Sequence, residues 1–104
     1  MASITLPQDL EEILEYVEGD TSRSKVLNLI QSDLKMRLRE CDDEIYRYEV
    51  KYGMSFSQFT AAWEAGTVDD RGSHPLERDY MVWEGLEAEK SRYLTLIARV
   101  NRLD

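Results

Sequence analysis

One uninterrupted helical pattern in the middle of the chain limits the folds that this sequence can adopt. Apolar residues recur there at spacings of three and four until Gly53, a natural helix stop. They are Leu27, Ile30, Leu34, Leu38, Cys41, Ile45, Tyr48 and Tyr52. The pattern predicts a helix of about 30 residues, roughly 45 Å long. A small monomer cannot cover one face of such a helix, so the sequence favours a partner chain.

Length and charge set further limits. The chain has 104 residues, enough for one small domain or two very small units. Its single cysteine excludes an intramolecular disulfide and, with no apolar run as long as a membrane span, predicts a cytoplasmic protein. The formal net charge of −8 disfavours broad, non-specific binding to nucleic acid and would suit a basic partner.

A short first helix is predicted before the long one. Pro7 is well suited to the first helical position, and the following apolar residues share one helical face. These residues are Leu10, Ile13, Leu14 and Val17. Gly19-Asp20 then interrupts the pattern, and Thr21 or Ser22 can cap the long helix by accepting a hydrogen bond from a free backbone N–H.

Two more helices are predicted after Gly53. Ser55 and Gln58 form a capping-box pattern, so a short helix should run to about Trp63 or Ala65 and end at Gly66. Residues 67–73 have the composition of a loop. A last helix should begin at His74-Pro75, with apolar residues at a spacing near 3.5. Those residues are Leu76, Tyr80, Trp83, Leu86, Tyr93, Ile97 and Val100.

The first few residues carry a different pattern. Ser3-Ile4-Thr5-Leu6 alternates polar and apolar residues before Pro7, which predicts one short strand without a second strand in the chain to pair with. Such a strand can pair with its own copy about a two-fold axis. Ile4 and Leu6 would then face the helices, and Ser3 and Thr5 would face outwards. A two-stranded ribbon of this kind fits the DNA major groove.

This order of features carries a family resemblance. A strand, Pro7, a helix of about ten residues, a Gly-containing loop and "TSRSKVLNLIQSDLKMRL" together resemble the ribbon-helix-helix (MetJ/Arc-like) family of dimeric DNA-binding proteins over residues 2–40. That family includes many antitoxins of toxin–antitoxin pairs. The resemblance implies a mostly α protein with one short N-terminal strand that pairs with its copy in a homodimer, followed by a C-terminal helical segment.

The resemblance also implies roles for individual residues. Ser3 and Thr5, with Met1 as a third, occupy the ribbon positions that contact bases, although both side chains are shorter than those the family usually presents. The start of the second helix would clamp a DNA phosphate, because free N–H groups and the helix dipole favour an anion there. The residues in that position are Ser22, Arg23, Ser24 and Lys25. Lys25 stands where the family usually has an acidic residue, which removes a capping box and adds positive charge.

Residues 42–104 extend beyond the minimal ribbon-helix-helix unit of residues 1–41. Their segments "YGMSFSQFTAAWEAG" and "HPLERDYMVWEGLEAE" loosely resemble short acidic proteins encoded beside toxins. Nine of the ten aromatic residues follow position 45, and such residues can form either a core or binding anchors. The candidate partner-binding residues are Phe56, Phe59, Trp63, Tyr80 and Trp83.

No pattern in the sequence points to catalysis, a metal or a cofactor. His74 is interpreted as a cap or loop residue, Cys41 as a packed residue of the long helix, and Asp69-Asp70 as solvated acid. We therefore expect an antitoxin or small regulator that binds operator DNA and neutralises a partner toxin, plausibly a ribonuclease. Two alternatives remain: a dimeric protein–protein adaptor without DNA binding, and a structural helical bundle whose strand resemblance is accidental.

Overall fold

The structure, a computed structural model, describes residues 5–68 and 72–103. These residues form four helices: α1 (Gln8–Leu14), α2 (Ser22–Tyr52), α3 (Phe56–Glu64) and α4 (His74–Leu103). The long α2 confirms the central helical pattern, and α4 is nearly equal to it in length. None of the four is both long and apolar enough to cross a membrane.

The predicted strand and the ribbon-helix-helix fold are wrong. Thr5 and Leu6 belong to no helix or strand, and within the described ranges no residue forms a strand; Ser3 and Ile4 lie outside those ranges. Pro7 has φ −56° and ψ 149°, so the backbone is extended there and then turns directly into α1. An alternation of only four residues is satisfied by unpaired extended backbone as well as by a strand. The fold class is therefore helical, without the sheet element.

The ends of α1 and α2 are defined by local chemistry. Pro7 precedes α1 as its N-cap residue and does not occupy the first helical position. Thr21 caps α2, as predicted: its Oγ1 accepts the Ser24 N–H at 3.0 Å, and Ser24 Oγ accepts the Thr21 N–H at 3.0 Å. A capping box is therefore present. Its returning side chain is that of Ser24, whereas the family resemblance placed it at Lys25 and predicted that the box is lost.

The ends of α3 and α4 follow the same logic. The predicted capping box of Ser55 and Gln58 is confirmed at the start of α3. α3 ends in a Schellman motif in which Gly66, at φ +73°, supplies the left-handed residue. Ser73 precedes α4, its Oγ accepting the Leu76 N–H at 3.4 Å and its carbonyl accepting the Glu77 N–H at 3.0 Å.

The chain divides into two units. The first contains the chain up to Arg37 together with the residues from Tyr93 onwards, and the second is Leu38–Arg92. In the first unit, Leu27 and Leu34 of α2 pack with Val100 of α4. Tyr93, Leu96 and Ile97 complete this small core.

The second unit has its own buried residues: Cys41, Ile45, Phe59, Trp83 and Leu86. Cys41 is packed as predicted, its thiol donating to the Leu86 carbonyl oxygen at 3.2 Å. Burial, followed by nearby carboxylates such as that of Glu89, raises the pKa of this thiol. Lys90, which interrupts the apolar pattern of α4, forms an ion pair with Asp42 at 2.9 Å.

Candidate protein-binding surface

The predicted base-contacting residues are not assembled into a site. Ser3 and Met1 lie outside the described residues, and Thr5 is an exposed residue in the extended segment before α1. A ribbon that would present Thr5 to a groove is absent from the described part of the chain. This placement leaves the first predicted site without a scaffold.

The predicted phosphate-contacting residues use their polar groups within the first unit. Ser22 is half-buried, and the N–H and hydroxyl groups of Ser24 take part in the capping box. The Lys25 N–H donates to the Thr21 carbonyl oxygen at 2.9 Å, and Arg23 Nη1 donates to the Leu103 carbonyl oxygen at 2.8 Å. These hydrogen bonds join groups of the first unit to one another, and phosphate contact at the start of α2 stays a prediction.

The five predicted partner-binding aromatics come together in the second unit. Trp83 is 0 % exposed and Phe59 is 1 % exposed, with their ring centroids 5.1 Å apart. The ring centroid of Tyr80 lies 4.7 Å from that of Trp63 and 5.8 Å from that of Phe56, and these three residues are half-buried. The cluster joins α3 to α4, and Tyr48 and Tyr52 of α2 stack on Trp83. Its geometry is that of a small aromatic core.

One polar group accompanies this cluster. Asp79 accepts hydrogen bonds from Lys51 Nζ at 2.6 Å and from the Tyr52 hydroxyl. Burial alone would raise the pKa of Asp79, but the hydrogen bonds from Lys51 and Tyr52 outweigh it and lower the pKa. Burial, reinforced by the same carboxylate, raises the pKa of the Tyr52 phenol well above its usual range.

A surface pocket of about 310 Å³ opens beside Asp79. It is lined by Glu44, Arg47, Tyr48, Lys51 and Asp79. The lining carries two acidic and two basic side chains, and Lys51 and Asp79 already neutralise each other. Its chemistry selects neither a cation nor an anion.

The surface of α1 is more unusual. Leu14 is only 8 % exposed, whereas Leu10 is 49 %, Ile13 is 68 % and Tyr16 is 92 % exposed. The sequence predicted that Leu10 and Ile13 share one helical face with Leu14, and the structure buries only Leu14 among these three. Exposed contiguous apolar side chains are typical of binding surfaces.

Acidic residues flank these exposed apolar residues in the sequence. Six of the 21 acidic residues fall between positions 9 and 20, and none of the 13 lysines and arginines does. They are Asp9, Glu11, Glu12, Glu15, Glu18 and Asp20. We call Leu10, Ile13 and Tyr16, with these six carboxylates, the α1 surface. The sequence contained this signal, because a run of acid without a single base marks a solvated segment and makes a buried face improbable.

Over residues 5–68 and 72–103, no group of three or more His, Cys, Asp and Glu side chains is arranged to hold a metal ion. His74 is the exposed first residue of α4. Asp69-Asp70 falls outside those ranges.

No protein-family model, curated protein sequence or solved structure matches this chain.

Proposed function

We propose that this protein acts by binding another protein through apolar side chains on its helix surfaces, as an adaptor or as an inhibitor that masks its partner. One observation carries the proposal. Among the described residues, twelve large hydrophobic side chains are exposed, whereas nine hydrophobic residues are buried. A chain that leaves so much apolar surface in water gains free energy when a partner covers that surface.

The exposed residues occur in three of the four helices and in the turn after α1. In the first unit, Leu29, Ile30 and Met36 of α2 are exposed in addition to the apolar residues of the α1 surface. In the second unit the corresponding residues are Tyr46, Val50, Met81 and Val82. By contrast, the aromatic cluster has Phe59 and Trp83 fully covered. The support for partner binding therefore comes from aliphatic and tyrosine side chains outside the cluster.

The antitoxin function predicted from the sequence has two parts, masking of a partner protein and binding of operator DNA, and each stays a prediction. Masking a partner protein, plausibly a toxin ribonuclease in the cytoplasm, does not need the ribbon and agrees with the present proposal. Binding to operator DNA was inferred from the predicted ribbon. Because the ribbon prediction is wrong, no structural argument for DNA binding remains. Homodimer formation also stays a prediction, and the exposed apolar residues would serve a second copy as well as a different protein.

Photo-cross-linking inside cells that encode this protein tests the proposal. The full-length chain would carry p-benzoylphenylalanine in place of Tyr16, or in place of Tyr46, with Glu84 as the matched exposed polar control. We expect irradiation to give one discrete protein adduct at position 16 or 46 and no adduct at position 84. Mass spectrometry of the adduct identifies the partner.

Two results would overturn the proposal. Equal, diffuse labelling at all three positions would show that the exposed apolar residues make only random encounters. No adduct at either tyrosine position, from a chain that is folded and expressed at its normal level, would show that these surfaces stay free in the cell.

A further inference from the structure

We propose that the α1 surface docks into an apolar groove whose rim carries lysine and arginine, on a partner protein other than a second copy of this chain. The inference rests on the proposed function and specifies the partner's chemistry at one surface. Helices bind grooves in this way by inserting apolar anchors at spacings of three and four residues.

The exposure of the apolar residues changes regularly around α1. At about 100° per residue, Leu14, Leu10 and Ile13 follow one another around α1 in that order. Their exposed fractions increase in the same order, from 8 % through 49 % to 68 %, and Tyr16, in the turn that follows the helix, is 92 % exposed. The apolar arc of α1 is therefore wider than the contact that buries Leu14. The uncovered part of the arc is the part that a partner can bury.

The exposed arc is held in a defined position. Leu14 anchors one side of the helix in the first unit. Beyond Leu14 the chain keeps a helical turn, because the Tyr16 N–H donates to the Ile13 carbonyl oxygen at 3.3 Å and the Val17 N–H to that of Leu14 at 2.9 Å. The Glu18 carbonyl oxygen then accepts from Asn28 Nδ2 of α2 at 2.7 Å. A preorganised anchor loses less conformational entropy on binding than a mobile one.

The charge on this segment selects the partner. Residues 9–20 carry six negative charges and no positive charge, out of a net charge of −8 for the whole chain. A groove rimmed by lysine and arginine complements this surface, which speeds encounter and excludes acidic competitors. Nucleic acid and anionic membranes carry the wrong sign.

A second copy of the chain has the same charge problem. A two-fold contact between α1 surfaces would bring together twelve carboxylates, six from each copy, without a lysine or arginine in either segment to pair with them. Like charges facing each other across an interface oppose association. The charge pattern therefore favours a basic partner over self-association at this surface.

A defined peptide provides the probe. The full-length protein would be titrated into a fluorescein-labelled amphipathic helix of leucine and lysine, and binding would be followed by fluorescence anisotropy across a salt series. Two further peptides serve as controls: the same pattern with glutamate for lysine, and a lysine–serine peptide of equal charge without leucine. We expect binding to the leucine–lysine peptide alone, weakening as salt increases.

Three variants locate the binding. Ile13→Ser with Tyr16→Ser should lower the affinity for the leucine–lysine peptide by about tenfold or more, because this double substitution removes the exposed anchors. The triple substitution Glu11→Gln, Glu12→Gln and Glu15→Gln should lower this affinity by a similar factor, about tenfold, and should make the affinity less dependent on salt. The control Glu84→Ser with Arg92→Ser removes two exposed charged side chains from α4 without changing the net charge and should change affinity by less than about twofold. All substituted residues are exposed, so circular dichroism should show unchanged helix content.

The contrary results are distinct. Equal weakening by the α4 control, or equal binding of the glutamate peptide, would overturn the inference. So would a dimer in sedimentation velocity that Ile13→Ser with Tyr16→Ser dissociates, because a second copy would then cover the surface. Absence of peptide binding would reject the basic partner, whereas the cross-link at position 16 separately decides whether a protein binds there at all.

Discussion

At the residue scale, Gly19 is the position where the backbone of the α1–α2 connection has least freedom. Its φ is +141°, and a Cβ atom added there would lie 2.8 Å from Ser24 Oγ and 2.9 Å from the Lys25 nitrogen. Both neighbours belong to the first turn of α2, which the capping box holds in place. Side chains other than hydrogen therefore need both a strained φ and a displaced helix start.

Replacing Gly19 by alanine should lower the free energy of unfolding by more than about 1 kcal/mol, because the native backbone is incompatible with a Cβ atom. Gly85 is the matched control: it lies inside α4 with nothing within 4 Å of an added Cβ. Gly85→Ala should raise the free energy of unfolding by about 1 kcal/mol through helix propensity. Urea denaturation measures both, and a neutral Gly19→Ala would contradict the described turn.

Asp79 is the second residue whose environment makes a prediction. Its pKa is lowered in the folded chain, so its contribution to stability is present above the unfolded-state pKa and is lost as the pH falls through the folded-state value. Asp79→Asn should cost about 1–2 kcal/mol at neutral pH, mainly through the hydrogen bond from the part-buried Tyr52 hydroxyl. Lys51 adds less, because its side chain is 58 % exposed and its charge is screened.

The pH dependence distinguishes this explanation from a simple packing change. Urea denaturation of wild type and Asp79→Asn should give a difference that narrows below about pH 4, where the wild-type carboxylate becomes protonated. A difference that stays constant between neutral and acidic pH would show that the negative charge of Asp79 does not stabilise the fold.

At the element scale, α3 depends on the aromatic cluster for its position. It has only nine residues, and a helix of this length is marginal in water without tertiary packing. Phe59 supplies its buried contact, and Trp83 of α4 packs on Phe59. The Trp83 Nε1 donor has no hydrogen-bond partner among the described residues, so the contribution of Trp83 to stability comes from apolar contact.

Removing Trp83 should therefore lower the stability of the fold strongly, whereas removing Tyr16 should hardly change it. Trp83→Ala should lower the free energy of unfolding by about 3–5 kcal/mol, because it empties the centre of the cluster. Tyr16→Ala removes an aromatic ring that is 92 % exposed and should change stability by less than about 0.5 kcal/mol. Thermal denaturation followed by circular dichroism measures both. Similar losses for the two variants would contradict the assignment of one to the core and the other to the surface.

Helix boundaries were the elements that the sequence predicted best. Capping at Thr21 and at Ser55, and the stops at Gly53 and Gly66, involve hydrogen bonds and φ angles within a few residues. Such local chemistry can be read from neighbouring letters. The strand was predicted wrongly for the opposite reason: a strand needs a pairing partner, and a four-residue alternation contains no information about one.

The exposed face of α1 was missed because periodicity shows which residues share a face, while burial depends on what packs there. Leu10 and Ile13 match the helical period of Leu14, but only Leu14 is buried. The candidate surface could still have been suspected from the six carboxylates around it. The sequence correctly grouped the five aromatic residues as one set. Three-dimensional contacts were needed to tell which of them form the core and which could anchor a partner.

At the scale of the whole molecule, the chain is divided in a way that its linear order does not suggest. The sequence predicted a boundary near residue 41, whereas the first unit combines the chain up to Arg37 with the residues from Tyr93 onwards. That return is a long-range contact between Leu27, Leu34 and Val100. Each unit therefore has a small core, and many apolar side chains remain outside both cores.

The most direct test of a protein-binding function is the mass of the full-length protein as it exists in the cells that encode it. Gentle purification followed by native mass spectrometry would compare wild type with Ile13→Ser plus Tyr16→Ser, and with the control Glu84→Ser plus Arg92→Ser. We expect wild type and the control in a stoichiometric complex with another protein, and the α1 variant largely released from it. Wild type recovered only as the 12.2 kDa chain or its homo-oligomer, or an α1 variant that keeps its partner fully, would contradict this account.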